Sequence, residues 1–352
     1  MSIDTPPPGV PGEHLENAIE LKEVEGLSQG QIVRRRFLRH KGAIVGLISI
    51  ALVALLAFTS IGIGPIPGWW KWGPNQLLEV ANPGGRPTMS LPSWLGGSGF
   101  AIGDFPFGQD TIGRDIFART MKGVQTSLIV MFIIGIIATL VGITVGALAG
   151  FYRGAVDQAL MRMTDLIITF PVIVIGAVLG RLAGSGGAFW LALALGLITW
   201  TGMARLVRGD FLTLREREFV DAARVAGASN LRIIRKHMLP NAMGVIIVNT
   251  TLLMSAAVLL ETALSYLGFG VRSPDVSLGT MISQYQSAFG TRPWLFWWPG
   301  LFIIIIALSV NFIGDGLRDA FDPRQRRIPS ARRMQRALAA DEIERAERKG
   351  TS

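Results

Sequence analysis

The hydrophobic residues of this chain are gathered into uncharged blocks of about 20 residues, the length of helix that crosses a bilayer. Five such blocks contain no Asp, Glu, Lys or Arg: Gly42–Gly64, Ser127–Gly150, Leu182–Ala204, Ala242–Leu260 and Trp294–Gly314. A sixth block, Leu166–Gly180, is shorter and spans a membrane only if Asp165 or Arg181 lies at a boundary or faces water. The pattern predicts an all-α polytopic membrane protein with six transmembrane helices.

Composition agrees with this pattern, because 50% of the 352 residues are hydrophobic and only 17% are charged. The chain has no cysteine, which excludes disulfides, thiolate chemistry and zinc sites built on Cys. It also lacks the G-x-x-x-x-G-K-[ST] phosphate loop and the H-E-x-x-H pair of metalloproteases. We therefore predict a chain that is not an enzyme and has no metal site.

The basic residues set the orientation, since Lys and Arg accumulate in cytoplasmic loops. With six spans and a cytoplasmic N-terminus, 26 of the 34 Lys and Arg residues lie inside. Both termini are therefore predicted to be cytoplasmic. The net charge of +9 then reflects contact with anionic lipid in the bilayer, and no nucleic-acid partner is needed to explain it.

These patterns divide the chain into five segments. We predict a disordered cytoplasmic tail (1–33), a basic anchor with the first transmembrane helix (34–64), an extracytoplasmic segment (65–126), a five-helix core (127–322) that contains a cytoplasmic loop (209–241), and a basic cytoplasmic tail (323–352). In the extracytoplasmic segment, Asp110 to Lys122 is expected to form an amphipathic helix along the membrane.

The charged stretch EREFVDAARVAGASNLRIIRKHMLPN separates two apolar blocks. One narrow apolar stripe recurs at helical spacing: Phe219, Ala222, Ala223 and Ala226. Gly227 is expected to end this helix, Ser229 to cap a second short helix, and Pro240 to end that one. The small side chains suit close docking on another protein, although the spacing alone favours an ordinary amphipathic cytosolic loop.

Within that stretch, DAARVAGASNLRIIRKHMLPN resembles the EAA loop of ATP-driven (ABC) importer permeases. The matching positions are Asp221, Ala222, Ala223, Gly227, Ala228, Leu239 and Pro240. Asp221 replaces the usual Glu, and His237 stands where the general pattern has a hydrophobic residue. A histidine at the latter position is common in the dipeptide/oligopeptide/nickel branch of these permeases.

A second stretch, FPFGQDTIGRDIFARTMKGVQTSL, is similar to the His-Pro-Phe-Gly-Thr-Asp…Gly-Arg-Asp segment of the same branch. Its matching residues are Gly108, Asp110, Gly113, Arg114 and Asp115, and it departs from the pattern at Phe105 and Gln109. ETALSYLGFGV and GDGLRDAFDPR resemble the branch around its last two spans. The resemblance covers roughly Arg34 to Arg324 and is specific to the second, C-type permease of the pair.

The resemblance implies a type I ABC importer permease fold in a bacterial or archaeal cytoplasmic membrane. A homologous B-type permease would form the other half of the pathway, and an extracytoplasmic binding protein would deliver di- or oligopeptides. Two cytoplasmic ATPases would bind ATP and Mg²⁺, and each would hold one EAA loop, so this chain itself would bind no cofactor.

Several residues carry separate hypotheses. Glu261, the only acid inside the predicted fifth span, is either a pathway or gate residue or a structural hydrogen-bond partner to the second permease or to the Arg114 region. Asp165 is a further candidate pathway or interface residue, for which a structural pairing with Arg162 is favoured, and Pro171 is expected to kink the third span. Gly142, Gly146 and Gly150 form either a packing seam or an ordinary run of membrane-helix glycines.

Three alternative functions remain. A nickel or other small-solute ABC importer would share all these motifs. An ion-driven secondary transporter would need several buried acids or an inverted repeat. An intramembrane enzyme would need a nucleophile and a base at membrane depth. The sequence favours the peptide importer.

Overall fold

The computed structural model describes residues 29–90, 93–95, 99–183 and 187–321. The larger of two compact units is His40–Arg318, whereas the first helix described belongs to the smaller unit. The predicted C-terminal tail and most of the predicted N-terminal tail lie outside the described residues. Residues 29–33, predicted to be disordered, begin helix α1, so that boundary is wrong.

The described part of the chain is mainly helical. Its helices are α1 Gln29–Arg39, α2 Lys41–Ser60, α3 Ile116–Tyr152, α4 Gly154–Thr169, α5 Val172–Ala183, α6 Gly187–Thr199, α7 Thr201–Leu214, α8 Glu218–Val225, α9 Asn230–Arg232, a π-helical turn Ile233–Met238, α10 Leu239–Tyr266, α11 Leu278–Tyr285 and α12 Trp294–Phe321. Two-residue strands β1 Gly62–Ile63 and β2 Ile66–Pro67 pair antiparallel, and three short 3₁₀ turns lie at Pro83–Gly85, Ser93–Leu95 and Gln286–Ala288.

Within the described residues, five stretches of helix are long and apolar enough to cross a membrane: α2, α3, α6 with α7, α9 through α10, and α12. A sixth crossing exists if α4 and α5 form one span, and these two helices are bent by 83° at their junction. Phe170 has the extended backbone (φ −87, ψ 132) that precedes a proline, so the predicted kink at Pro171 is confirmed. The structure therefore has five or six candidate spans where the sequence predicts six.

The glycine-rich stripe of α3 packs against α7 of the same chain. A Cβ atom added to Gly142 would lie 2.6 Å from Met203 Cβ, and one added to Gly150 would lie 2.7 Å from Phe211 Cβ. Contact this close is possible only because the glycines have no side chain. The packing-seam hypothesis is confirmed, with an intramolecular partner.

Two expectations about helix ends are wrong. No separate surface helix begins at Asp110, because α3 starts at Ile116 and runs without a break into the second span. Pro240 does not end a short helix either. It lies in the first turn of α10, directly after the π-helical turn, in which the Leu239 N–H donates to Ile234 O, five residues back. The wider π turn carries the chain into a position that proline tolerates.

Candidate functional site

The loop that contains α8 is fastened to the end of α3. The Arg215 guanidinium donates from Nη1 to Phe151 O at 2.7 Å and lies 5.9 Å from the Phe151 ring centroid. Arg153 Nη2 lies 2.5 Å from Glu216 Oε1. Burial and the neighbouring Arg153 lower the pKa of Arg215 below its ordinary value. Both contacts hold the start of the loop against the last turn of α3.

Among the described residues, only one side of α8 is covered by other parts of the chain. Val220 is fully buried and Ala223 is 9% exposed, and both pack in an apolar cluster with α3, α7 and α10. On the neighbouring face Phe219 is 38% exposed and Val225 is 90% exposed. Ala222 and Ala226 lie on that same exposed face. Of the predicted stripe, then, only Ala223 packs inside this chain, whereas the other three residues are exposed.

Gly227 reverses the chain after α8. Its φ of +78° is left-handed, which glycine adopts without the steric cost of a Cβ atom. The Gly227 N–H donates to Arg224 O at 2.9 Å and the Ala228 N–H donates to Ala223 O at 3.0 Å. This is the Schellman arrangement that satisfies the last carbonyls of a helix. The prediction that Gly227 ends α8 is confirmed.

The other predicted loop residues occupy distinct places. Asp221 is exposed and pairs with Arg224 at 2.9 Å. Ser229 stands at the N-cap of α9, but its side chain makes no capping hydrogen bond, contrary to expectation. Leu239 packs against the cluster beneath α8, and Pro240 is exposed. Val220, which the sequence analysis passed over, is the main anchor of α8, and its position three residues before Ala223 was a usable signal.

At the opposite end of α3, Asp110 organises a tight turn. Its Oδ1 accepts from the backbone N–H of Ile112 at 3.1 Å and of Arg114 at 2.9 Å, and its Oδ2 lies 2.6 Å from Arg114 Nε. The Tyr285 hydroxyl donates to the same Oδ2 at 3.0 Å. Burial raises the pKa of Tyr285 to about 12, so this hydroxyl keeps its proton. The turn is thereby joined to α11.

Asp115 caps the start of α3. Its carboxylate accepts from Phe117 N–H at 3.2 Å and Ala118 N–H at 3.1 Å, which are unpaired donors in the first turn of a helix. Trp70 Nε1 donates to Oδ2 at 2.6 Å. Burial raises the pKa of Asp115 above 3.8, and these hydrogen bonds oppose that rise. Asp115 therefore joins α3 to the segment that follows α2.

The two glycines of this motif are required by close backbone approach. Gly108 has φ +83°, and a Cβ there would lie 2.6 Å from Gly85 O. Gly113 has φ +84°, and a Cβ there would overlap Leu78 O. The segment before α3 is therefore packed directly onto the motif's backbone.

The two departures from the family motif are built into the same packing. Gln109 is 1% exposed, accepts from Ala81 N–H at 2.8 Å and donates to Glu79 O at 2.9 Å and Gly113 O at 3.1 Å. Phe105 stacks on Trp72 with ring centroids 5.8 Å apart. Gln109 is thus held by three hydrogen bonds to the surrounding backbone and Phe105 by ring stacking, so neighbouring residues of this chain accommodate both departures.

Arg119 is a buried residue that the sequence analysis missed. It is 5% exposed and donates to Pro74 O at 3.2 Å, Asn75 Oδ1 at 3.0 Å and Gln284 Oε1 at 3.0 Å. It links α3, the segment before it and α11. A basic residue next to an apolar block was the available signal, since such residues usually face protein or water.

Glu261 is fully buried between α3 and α10. Ser127 Oγ donates to its Oε2 at 3.0 Å and Ser265 Oγ donates to its Oε1 at 2.7 Å. These hydrogen bonds lie within one chain, so the structure places Glu261 neither on an exposed pathway surface nor against Arg114.

Asp165 pairs with α7 rather than with its own helix. Arg205 Nη2 lies 2.5 Å from Asp165 Oδ1, so the expected pairing with Arg162 is wrong. One helical turn further along α7, Arg208 binds Asp157 through two contacts of 2.5 and 2.7 Å. Two ion pairs therefore connect α4 to α7.

Comparisons with known proteins agree with the resemblance found in the sequence. The family described as "Binding-protein-dependent transport system inner membrane component" matches residues 142–327. The "N-terminal TM domain of oligopeptide transport permease C" matches residues 28–76.

Individual relatives match over most of the chain. The oligopeptide transport system permease protein OppC of Mycobacterium bovis is 36% identical over 305 residues, which are 86% of this chain and 98% of that protein. OppC of Haemophilus influenzae is 34% identical over 314 residues, 89% of this chain and 94% of that protein. Among solved structures, an inward-facing MetNI methionine ABC transporter chain aligns with 58% of this chain and 97% of its own length, at 20% identity and a TM-score of 0.48.

The two family models and the OppC relatives confirm the resemblance to a C-type permease. The chain belongs to the family of binding-protein-dependent transport system inner membrane components and is a homologue of the OppC permeases.

Proposed function

We propose that this chain is the transmembrane subunit of an ATP-driven importer of di- or oligopeptides. Together with a homologous B-type permease it would enclose the pathway, in the cytoplasmic membrane of a bacterium. Two relatives named for oligopeptide transport align with this chain over nearly their whole length, which supports a peptide solute over nickel or another small solute. An extracytoplasmic binding protein would deliver the peptide.

The exposed apolar face of α8 carries the proposal. Phe219, Ala222, Val225 and Ala226 lie on a helix of only eight residues, beside the buried face formed by Val220 and Ala223. A short helix is marginal by itself and is stabilised by covering its apolar face. In α8 the part of the apolar surface formed by Val220 and Ala223 is covered by this chain, and the exposed part is available to a cytoplasmic ATPase.

The attachment of α8 suits the transmission of movement. Its base is tied to α3 through Arg215 and Glu216, its buried face packs on α7 and α10, and the Gly227 turn fixes its exit. If an ATPase holds the exposed face, closure on ATP would pull these helices together with α8. ATP and Mg²⁺ would be bound by the ATPases, and the chain itself would bind no cofactor and catalyse no reaction.

The test is a Val225→Lys variant in the full transporter, expressed with its permease, ATPase and binding-protein partners. Val225 is 90% exposed at the C-terminal end of α8, where a cation is favoured by the helix dipole, so the substitution should leave the fold intact. The matched control is Ile112→Lys, because Ile112 is 53% exposed at the far end of α3.

We expect Val225→Lys to retain the second permease on purification, to lose the ATPases and to abolish peptide uptake. Ile112→Lys should keep the ATPases. If Val225→Lys captures the ATPases and imports peptide as well as the unmodified transporter does, α8 is not the coupling element and the proposal fails.

A further inference from the structure

The segment that follows α2 carries an apolar surface that the described residues leave exposed. Residues 61–70, IGIGPIPGWW, contain no charged side chain. Ile63 and Ile66 are cross-strand partners in the β1–β2 hairpin, so their side chains lie on the same face of it, and they are 54% and 66% exposed. Trp69 is 61% exposed. These three side chains are termed the hairpin surface.

The backbone beneath the hairpin surface is fixed to α2 and α3. Gln125 of α3 is 4% exposed and donates from Nε2 to Ala57 O at 2.9 Å and to Gly62 O at 2.8 Å. The Trp70 N–H donates to Ser60 O at 2.7 Å, which folds the chain back onto the end of α2. The three exposed side chains therefore stand on a backbone that is already in place.

Trp69 continues the exposed face of α2. One side of that helix is exposed along its length, at positions that recur every three or four residues: Val45, Ile48, Leu52, Leu55 and Thr59. Trp69 Nε1 donates to Thr59 Oγ1 at 3.2 Å, so the indole ring lies at the end of this face. Among the described candidate spans, α2 has the smallest buried share, 22%, which indicates a peripheral helix whose exposed side meets lipid.

The length of α2 sets the depth of the hairpin surface. The 20 residues Lys41–Ser60 extend over about 30 Å at 1.5 Å per residue, which equals the thickness of the hydrocarbon core. With Lys41 at one boundary of the core, Ser60 lies at the other, and β1 begins two residues later in the headgroup layer. Indole rings are enriched at that level. Charged side chains resume at Lys71, directly after the segment.

We propose that the hairpin surface is an anchor that binds phospholipid of the outer leaflet, with Trp69 at the hydrocarbon boundary and the Ile63–Ile66 pair in the headgroup layer. The leaflet follows from the predicted orientation of the chain. Because Gln125 ties the hairpin to α3, the anchor also fixes the outer end of α3 in the bilayer. It would hold that end while an ATPase pulls on α8 at the other. This interaction with lipid goes beyond the proposed transport function.

The absence of cysteine allows single probes to be placed in this chain. Ile66→Cys carries a nitroxide spin label in the full transporter, assembled with cysteine-free partner subunits in phosphatidylcholine vesicles. The water-facing reference is Glu79→Cys, because Glu79 is an exposed charged residue of the same extracytoplasmic segment. Power-saturation EPR measures the collisions of each label with oxygen, which concentrates in lipid, and with chromium oxalate, which stays in water. Each variant is first checked for monodisperse elution together with its partners.

We expect the ratio of oxygen collisions to chromium oxalate collisions to be several-fold higher at Ile66→Cys than at Glu79→Cys. Adding the binding protein should leave the ratio at Ile66→Cys unchanged. Ile63→Cys should behave in the same way, since Ile63 is the cross-strand partner of Ile66, and it replaces Ile66→Cys if that variant does not assemble.

Three results would overturn the inference. Ratios at Ile63→Cys and Ile66→Cys equal to that at Glu79→Cys would mean that the hairpin surface faces water. Low collision rates with both reagents would mean that the second permease covers it. A fall in both rates on addition of the binding protein would make it a protein docking site. None of these results bears on ATPase capture by α8, so failure here is distinguishable from failure of the proposed function.

Discussion

Replacing Gly146 by alanine should separate α3 from α7. An added Cβ would lie 2.5 Å from Ala204 O and 2.8 Å from Val207 Cβ, whereas ordinary contact begins at 3.4 Å. The two helices must therefore move apart by roughly 0.9 Å at this point. A radial gap of about 0.5–1 Å forfeits a quarter to a half of the dispersion energy of each contact along the seam.

The net effect on stability can be bounded. Overpacking costs typically about 1–3 kcal/mol, and replacing a helical glycine by alanine returns roughly 0.5–1 kcal/mol, so the net loss lies between about 0 and 2.5 kcal/mol. Gly209→Ala is the matched control, because Gly209 lies in α7 and no atom lies within 4 Å of its added Cβ. That variant should gain the roughly 0.5–1 kcal/mol without the clash.

The measurement is the apparent midpoint of thermal unfolding of the purified transporter, followed by the fraction that remains monodisperse after heating. Membrane complexes often unfold irreversibly, so the variants are ranked at one heating rate. Gly146→Ala should fall below the unmodified transporter and Gly209→Ala should lie at or above it. Equal midpoints for Gly146→Ala and Gly209→Ala would refute the close approach of α3 and α7.

Three further predictions concern the two ends of α3 and the α8 turn. Gly227→Val should reduce copurification of the ATPases, because a left-handed φ costs a residue with a Cβ roughly 1–2 kcal/mol. Gly227→Asn should retain most of the ATPase, because asparagine tolerates this conformation better. Equal capture of the ATPases by both variants would contradict the role of the turn. Gln109→Leu should lower the unfolding midpoint, because it leaves three backbone groups unpaired at about 1–3 kcal/mol each, and an unchanged midpoint would exclude that network. Burial raises the pKa of Asp115 above 3.8 in the folded protein. The stability of the unmodified protein relative to Asp115→Asn should therefore be highest below pH 3.8 and should fall as the pH rises through the folded pKa. A difference in unfolding midpoint that does not change with pH would contradict this.

Hydropathy located the spans but not the ends of the helices. Block boundaries report where charged residues begin, whereas helix ends are set by caps and turns outside the apolar region. α3 begins at Ile116, eleven residues before the predicted start of that span at Ser127, because the Asp115 carboxylate pairs the first N–H groups of the helix. The kink at Pro171 was predictable because it depends only on the local backbone.

The motif residues of α8 were identified from the sequence, but its covered face was not. Val220 and Ala223 adjoin Phe219 and Ala226 on a helical surface, so the apolar pattern is continuous around roughly half of the circumference. Periodicity cannot show which part of such a surface is covered by the same chain. The contacts of Arg119 were inaccessible for another reason, since its acceptors Asn75 and Gln284 lie 44 and 165 residues away in sequence.

The distribution of contacts indicates which helices would move together in transport. The α8 loop shares one apolar cluster with α3, α7 and α10, and α3 is fixed at its other end by Asp115 and Arg119. A pull on α8 would therefore displace these three helices as a body.

The α4–α5 pair is joined to that body more weakly. α4 is held to α7 by two ion pairs, and the pair between Asp165 and Arg205 is at least half exposed on both sides. Exposed pairs of this kind contribute only about 0.2–1 kcal/mol. α5 meets α10 at Gly176, where a Cβ would lie 2.8 Å from Leu264 Cδ1, so that contact has no interlocking side chain on the α5 side. Relative movement would thus concentrate at the 83° bend between α4 and α5.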